Sequence, residues 1–382
     1  LKDLNKELQQ RKTDHLYRSR RVSDSAQQIE MLIDGRQVLS FCSNDYLGLA
    51  NHPAIKQAFI KGIEQYGAGS GAAHLINGHS RAHHQLEEAL AEFTGYPRAL
   101  LFSTGYMANI GVAQALLGKG DAVFEDRLNH ASLIDGGLIS GARLMRYQHK
   151  KYSELADKLA AFSSGEKLVM SDGVFSMDGD IADVKTLTDI CQYHDTWLML
   201  DDAHGFGVLG EHGAGILSHS QVDPGEVPIY MATLGKAVGT AGAFVAGSEE
   251  LIETLIQQAR TYIYTTAQPP AIAVATLASL HIIKNEPERR EQLHSNITYF
   301  KNCAQQADLN LSESETAIQP IIIGDTEKTV AISQQLFEQG IQVTAIRPPT
   351  VPKDTARLRI TLSAGHAREH IDRLVSALSE LL

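Results

Sequence analysis

Between positions 53 and 281, six short apolar runs (99–102, 122–124, 167–171, 197–200, 228–234 and 241–246) alternate with longer stretches of helical periodicity. Runs apolar at successive positions put side chains on both faces of a strand, so both faces need cover. Strands separated by helices pair most readily in parallel, with the helices as crossovers. The pattern predicts an α/β unit built on a large, mostly parallel sheet with helices on both faces. At 382 residues the chain also exceeds what one hydrophobic core usually serves.

Outside that block the pattern differs. Leu1, Leu4, Leu8 and, less regularly, Leu16 follow a near-helical spacing, with Arg11, Lys12, Arg18, Arg20 and Arg21 toward its end. A strand signal over 31–41 follows, broken by an Asp34-Gly35 hairpin turn. After Asn285-Glu286-Pro287 come a helix, a strand over 318–323, a helix ending at Gly340, strands over 342–346 and 357–362, and a last amphipathic helix. The expected division is an N-terminal arm over 1–45, a large domain over 46–284 and a small α+β domain over 285–382.

The formal net charge of −11 and sequence pI near 5.8 disfavour non-specific binding to nucleic acid or anionic membrane, because both would be repelled at long range. Any anionic ligand needs local positive charge. Cys42, Cys191 and Cys303 are far apart and odd in number, which suggests a reducing compartment and no disulfide framework. No apolar run approaches the roughly 20 residues that span a bilayer. A cytoplasmic protein is expected.

Three segments carry chemistry. The apolar run 197–200 ends in Asp201-Asp202-Ala203-His204, where ligands of open α/β sheets gather. A carboxylate there can hold a protonated pyridine nitrogen; an acidic turn capping the next element is the alternative. The run 228–234 leads into Gly235-Lys236-Ala237, with Gly239 and Gly242 beyond. Glycines let backbone approach a bulky ligand, and desolvation frees a lysine amine to attack a carbonyl, although many lysines beside glycine are solvated loop residues. Third, the small-residue turn Ser103-Thr104-Gly105-Tyr106-Met107-Ala108-Asn109 opens a helix, either as an anion site on free N–H groups or as an ordinary connection.

In this order the three segments resemble the fold-type I pyridoxal-phosphate (PLP) enzymes, and more narrowly the α-oxoamine synthases. Ser43-Asn44-Asp45-Tyr46-Leu47-Gly48-Leu49, Asn129-His130-Ala131-Ser132, Gly173-Val174-Phe175-Ser176-Met177-Asp178-Gly179-Asp180 and Thr265-Thr266-Ala267-Gln268-Pro269-Pro270 extend the likeness over nearly the whole chain. The resemblance implies an aspartate-aminotransferase-like fold with a seven-stranded type of sheet. It implies PLP held as a Schiff base by Lys236, Asp201 on the pyridine nitrogen and His130 stacked on the ring. Ser176 and His204 are then expected around the phenolic oxygen, and Gly105, Tyr106 and Thr233 at the phosphate. Thr266 is expected to reach a partner's phosphate in a homodimer with shared active sites.

Ile346-Arg347-Pro348-Pro349-Thr350-Val351-Pro352 and Ala356-Arg357-Leu358-Arg359 resemble the alanine-using, biotin-pathway branch more than the branches that use glycine. That likeness implies decarboxylative condensation of L-alanine with a pimeloyl thioester of coenzyme A or acyl-carrier protein. A glycine-using synthase of the aminoketobutyrate or aminolevulinate type is the alternative. By the same likeness Thr350 contacts substrate, Arg359 takes the amino-acid carboxylate as a fork, Arg18 meets the acyl substrate, and Lys236 and His130 are catalytic.

Gly67-Ala68-Gly69-Ser70-Gly71 follows a helical pattern rather than a strand, which sets aside a dinucleotide loop. In the family likeness this stretch borders the active site, and Ala72-Ala73-His74 departs from the Gly and Ser many members carry. His79, His83 and His84 lack the glutamate of a zincin motif and are expected to form a polar helix face, with no metal.

Overall fold

The computed structural model describes residues 2–382; Leu1 of the expected arm lies outside the described residues. It divides into two units. One comprises residues 52–175 and 181–287, and the other residues 1–51, 176–180 and 288–382.

The first unit holds a seven-stranded sheet. With β1 (Glu30–Ile33) and β2 (Arg36–Ser40) in the other unit, its strands are β3 (Arg98–Phe102), β4 (Ala122–Asp126), β5 (Arg143–Tyr147), β6 (Lys167–Asp172), β7 (Trp197–Asp201), β8 (Ile229–Thr233) and β9 (Ala243–Gly247). Their order is β3-β9-β8-β7-β6-β4-β5. β4 to β8 run parallel, and β9 runs against both its neighbours. Every residue of β4 and β9 is buried, as strands covered on both faces require. Val112, Leu133, Met170, Met199, Met231 and Val245 share one core between sheet and helices.

Because β9 alone is reversed, the carboxyl ends of β3, β4, β6, β7 and β8 emerge at one edge of the sheet. That edge carries the turn at Ser103–Thr104, His130, the segment after Asp172, Asp201 to His204, and Lys236. Strand β5 is absent from the expected set. Its sequence, Arg143-Leu144-Met145-Arg146-Tyr147, carries two arginines because it lies at the end of the sheet, where most of its side chains are only partly covered.

The second unit begins with α1 (Leu4–Thr13), which buries none of its residues; Leu4 and Leu8 are exposed. β1 and β2 form the expected hairpin, with Asp34 and Gly35 both at positive φ, as a tight two-residue turn demands. The expected strand over 342–346 is two pieces in two sheets. β11 (Ile341–Gln342), which follows β10 (Ile318–Gly324) in sequence, pairs in parallel with β2, whereas β12 (Thr344–Ile346) joins β13 (Ala356–Thr361), which also pairs with β10. The unit therefore follows space rather than chain order: β2 leans on β11, and residues 176–178 are bonded to Arg357 and Arg359.

His366 in this unit predicts a pH dependence of stability. It stacks on Phe41 at 4.2 Å, its Nδ1 accepts from Ser363 N at 2.9 Å, and its Nε2 donates to Ser40 O at 3.0 Å. Both nitrogens are committed to the neutral form, and burial lowers its pKa to about 4. A folded pKa below the unfolded one stabilises fully above about pH 6.5, and this is lost as pH falls toward 4, up to about 3 kcal/mol. The melting temperature should drop across that window, and a His366→Gln variant should drop less steeply. Equal slopes would mean that His366 is not the group that titrates.

Candidate active site

In the first unit, after α2 (Pro53–Tyr66) and α3 (Arg81–Thr94), the helices α4 (Gly105–Leu116) and α5 (Ala131–Ser140) position the site. Lys236 leaves β8 with its Nζ 2.8 Å from His204 Nε2, so the two residues expected at a carbonyl ligand meet. Asp201 is buried at the end of β7; its Oδ1 accepts from Ala203 N at 3.0 Å and its Oδ2 from Asn109 Nδ2 at 2.8 Å. No positive side chain neutralises it through these bonds. A cationic ligand nitrogen would.

His130 caps α5. Its main-chain N–H donates to Asp172 Oδ2 at 2.6 Å and its ring Nδ1 lies 2.7 Å from Ser132 Oγ. Asp172 is buried, and burial followed by the nearby Asp201 charge raises its pKa well above the usual carboxylate range. Burial pushes Asp202 up to about 7, although Tyr230 Oη at 2.6 Å and Ile216 N at 2.7 Å both donate to it. Asp202 thereby ties β7 to the chain beyond it. Asp201, next in sequence, faces Asn109.

The turn expected as an anion cradle opens α4 beside β8. Thr104 caps α4 by accepting from Met107 N, which leaves the N–H groups of Gly105 and Tyr106 outside the helical ladder. A Cβ on Gly105 would stand 2.9 Å from Thr233 Cγ2, so glycine is required by close approach of α4 to β8. Among the described residues Thr233 Oγ1 is buried without a partner. An unspent hydroxyl beside two free N–H groups suits phosphate. The Tyr106 hydroxyl, however, donates to Asp135, so this residue has its main chain to offer the cradle rather than its phenol.

In the second unit, Arg359 is buried on β13. Its Nε donates to Ser176 O at 2.5 Å, Nη1 to Thr361 Oγ1 at 3.1 Å, and both Nη atoms to Asn44 Oδ1 at 3.3 Å. Among the described residues it has no carboxylate partner. A buried guanidinium without a counter-charge is costly, and an anion beside Arg359 would supply one. Arg357, two residues earlier on the strand, is instead paired with Asp178. Arg18 Nη2 lies 3.4 Å from Thr350 Oγ1, so two substrate residues expected from opposite ends of the chain lie side by side, both exposed.

Of the histidines expected as a polar helix face, His84 is exposed, His79 is half-buried and His83 is buried beside His74. His79 precedes α3; His74 and His83 are buried; His74 Nδ1 and His79 Nδ1 lie 3.0 Å apart. His83 Nδ1 accepts from Ser80 N at the start of its own helix, while Nε2 donates to Gln268 O at 2.8 Å and so joins α3 to a distant loop. Burial lowers His74 to about 3 and His79 to about 4. The spacing of His79 and His83 gave no sign of this, because the bonds run to Ser80, His74 and Gln268. Asn109, Ser132 and Asn44 stood inside the recognised motifs with no role assigned, and only the fold supplies their partners.

The model of the class I and II aminotransferase family matches residues 36–378. The 8-amino-7-oxononanoate synthase of Thioalkalivibrio sulfidiphilus is 60% identical over 379 residues, covering 99% of this chain and 97% of that one. That of Nitrosococcus oceani is 58% identical over 98% of this chain and all of its own length, 100%. The chain belongs to the 8-amino-7-oxononanoate synthase family. Among solved structures, the family's Francisella tularensis member superposes with a TM-score of 0.79 at 35% identity, over 90% of this chain and 97% of that chain. A serine palmitoyltransferase from S. paucimobilis with a bound PLP–myriocin aldimine superposes with a TM-score of 0.94 at 29% identity, over 99% and 96%. The fold is thus that of the fold-type I enzymes. Among the described residues no helix is long and apolar enough to cross a membrane.

Proposed function

We propose that the chain condenses L-alanine with a pimeloyl thioester to give 8-amino-7-oxononanoate, carbon dioxide and the free thiol carrier, in biotin biosynthesis, with PLP carried on Lys236. Family membership supports the reaction, and the observation that carries the chemistry is the meeting of Lys236 Nζ with His204 Nε2 on the sheet edge that also bears the buried Asp201. When bound, PLP supplies a sink for the negative charge that develops at the alanine Cα.

The residues of the chain do the rest. Asp201 holds the ring nitrogen protonated, and Thr233 Oγ1 with the N–H groups of Gly105 and Tyr106 receives the phosphate. Lys236 Nζ removes the α-proton of alanine and later returns one to the same carbon, with His204 holding the amine between the two events. Ser176 and His204 border the phenolic oxygen, and His130 covers the ring face. Arg359 takes the alanine carboxylate, while Thr350 and Arg18 meet the acyl substrate. In the exchange the Cα–carboxylate and acyl–sulfur bonds break and a Cα–acyl bond forms; the carboxylate leaves as carbon dioxide, and the departing thiolate takes one proton from solvent.

We further propose a cytoplasmic homodimer with its sites at the subunit interface, to which the exposed Thr266 contributes. A monomeric mass retained under turnover conditions would contradict it.

The cradle makes a prediction of its own. Gly105→Ala places a methyl group against Thr233 and should weaken PLP binding by at least about tenfold, the cost of roughly 1.4 kcal/mol, in equilibrium dialysis. Unchanged affinity would remove the phosphate from this turn. The reaction is tested by offering alanine, glycine and serine with pimeloyl-CoA and acetyl-CoA. Turnover confined to alanine with the pimeloyl thioester is expected, and glycine turnover with alanine inert would assign the chain to another branch.

A further inference from the structure

Asn109 is fully buried on α4 and uses both hydrogens of its amide. One goes to Asp201 Oδ2 and the other to Ser132 Oγ, each at 2.8 Å. The orientation of the amide is fixed by chemistry: a carboxylate only accepts, so the face toward Asp201 must be the NH2. Among the described residues the carbonyl oxygen of Asn109 is left buried without a partner, so the residue's two donors are what the site uses.

Direction then propagates. The Ser132 hydroxyl accepts from Asn109, so its own hydrogen is free for His130 Nδ1 at 2.7 Å, and Ser132 N–H points to the same nitrogen at 3.3 Å. His130 Nδ1 accepts twice and cannot carry a proton, which places the ring proton on Nε2. The relay depends on close approach of two helices. A Cβ on Gly136 of α5 would stand 3.1 Å from Asn109 O and 3.3 Å from Ala113 Cβ, so glycine there lets α5 approach α4.

We propose that Asn109 and Ser132 are positioning residues that hold His130 as the Nε2–H tautomer and, through the same amide, steady the acceptor carboxylate of Asp201. His130 is thereby a hydrogen-bond donor at Nε2, suited to a developing negative charge on a thioester carbonyl oxygen and unsuited to removing a proton there. The catalytic consequence rests on the proposed reaction; the tautomer does not.

The experiment is nitrogen-15 NMR of histidine-labelled, cofactor-free protein, with His130 assigned by its loss in His130→Asn. The expected spectrum shows Nδ1 unprotonated and Nε2 protonated, and Ser132→Ala, which removes the nearer donor, should introduce a population protonated at Nδ1. Ser132→Thr, which retains a hydroxyl, should restore the parent signal. In the PLP-loaded enzyme Ser132→Ala should lower kcat about tenfold with little change in KM for alanine, as loss of one properly oriented donor predicts. A proton on Nδ1 in the parent, or an identical tautomer in Ser132→Ala, overturns the proposal. Failure of the parent to condense alanine at all would instead count against the reaction, leaving the NMR result to judge the relay.

Discussion

Lys236→Ala should abolish condensation of alanine with pimeloyl-CoA, lowering kcat by about 10³-fold or more, the scale on which a general base that is also the covalent anchor is lost. The lysine stands half-buried after β8 with its Nζ 2.8 Å from His204 Nε2. An imidazole cannot take over the covalent attachment. The variant should melt within about 1 kcal/mol of the parent, since it removes no packed core side chain. It should also release PLP on gel filtration after borohydride treatment, whereas the parent retains it. A folded variant that kept even a tenth of the parental rate would take the base away from Lys236.

Arg359→Leu is expected to raise KM for alanine by about 10²-fold or more, because hydrogen bonds to a charged group contribute roughly 1.5–3 kcal/mol each and a fork makes two. Arg359→Lys should recover little, as an ammonium lacks the planar fork. The fold should survive both changes. The guanidinium is buried against Ser176 O, Asn44 and Thr361 without a carboxylate, so removing it relieves a desolvation cost that partly offsets the lost hydrogen bonds. Steady-state kinetics against alanine, run beside thermal melts, separates the two effects. A variant with parental KM and a collapsed melting temperature would make Arg359 a structural residue.

The sheet was legible because strands buried on both faces read as apolar runs, so β3, β4, β6, β7, β8 and β9 could be placed without a partner in view. β5 was not, because the end of a sheet tolerates the arginines that disguise it. The run over 342–346 reads as one strand, yet Val343 marks the point where the chain leaves one sheet for another, a change of partner that no local pattern records. Asp201 ends β7, and His204 and Lys236 each lie three residues beyond a strand, so the apolar runs pointed to all three positions. Asn109 and Ser132 are 23 residues apart and meet only because Gly136 lets two helices approach closely. Tyr106 shows the reverse case: it stands at the turn that the sequence singles out, yet its hydroxyl is claimed by Asp135 one helix away.

The measurement that reaches the central claim most directly is the stoichiometry of one turnover with alanine labelled with carbon-13 in its carboxyl group. PLP-loaded protein given labelled L-alanine and pimeloyl-CoA should release one labelled carbon dioxide for each free thiol. The accompanying product should be unlabelled, with the mass of 8-amino-7-oxononanoate. Thiol released without labelled carbon dioxide, or a product that keeps the label, would mean thioester hydrolysis or simple N-acylation, and the condensation assigned to this chain would be wrong.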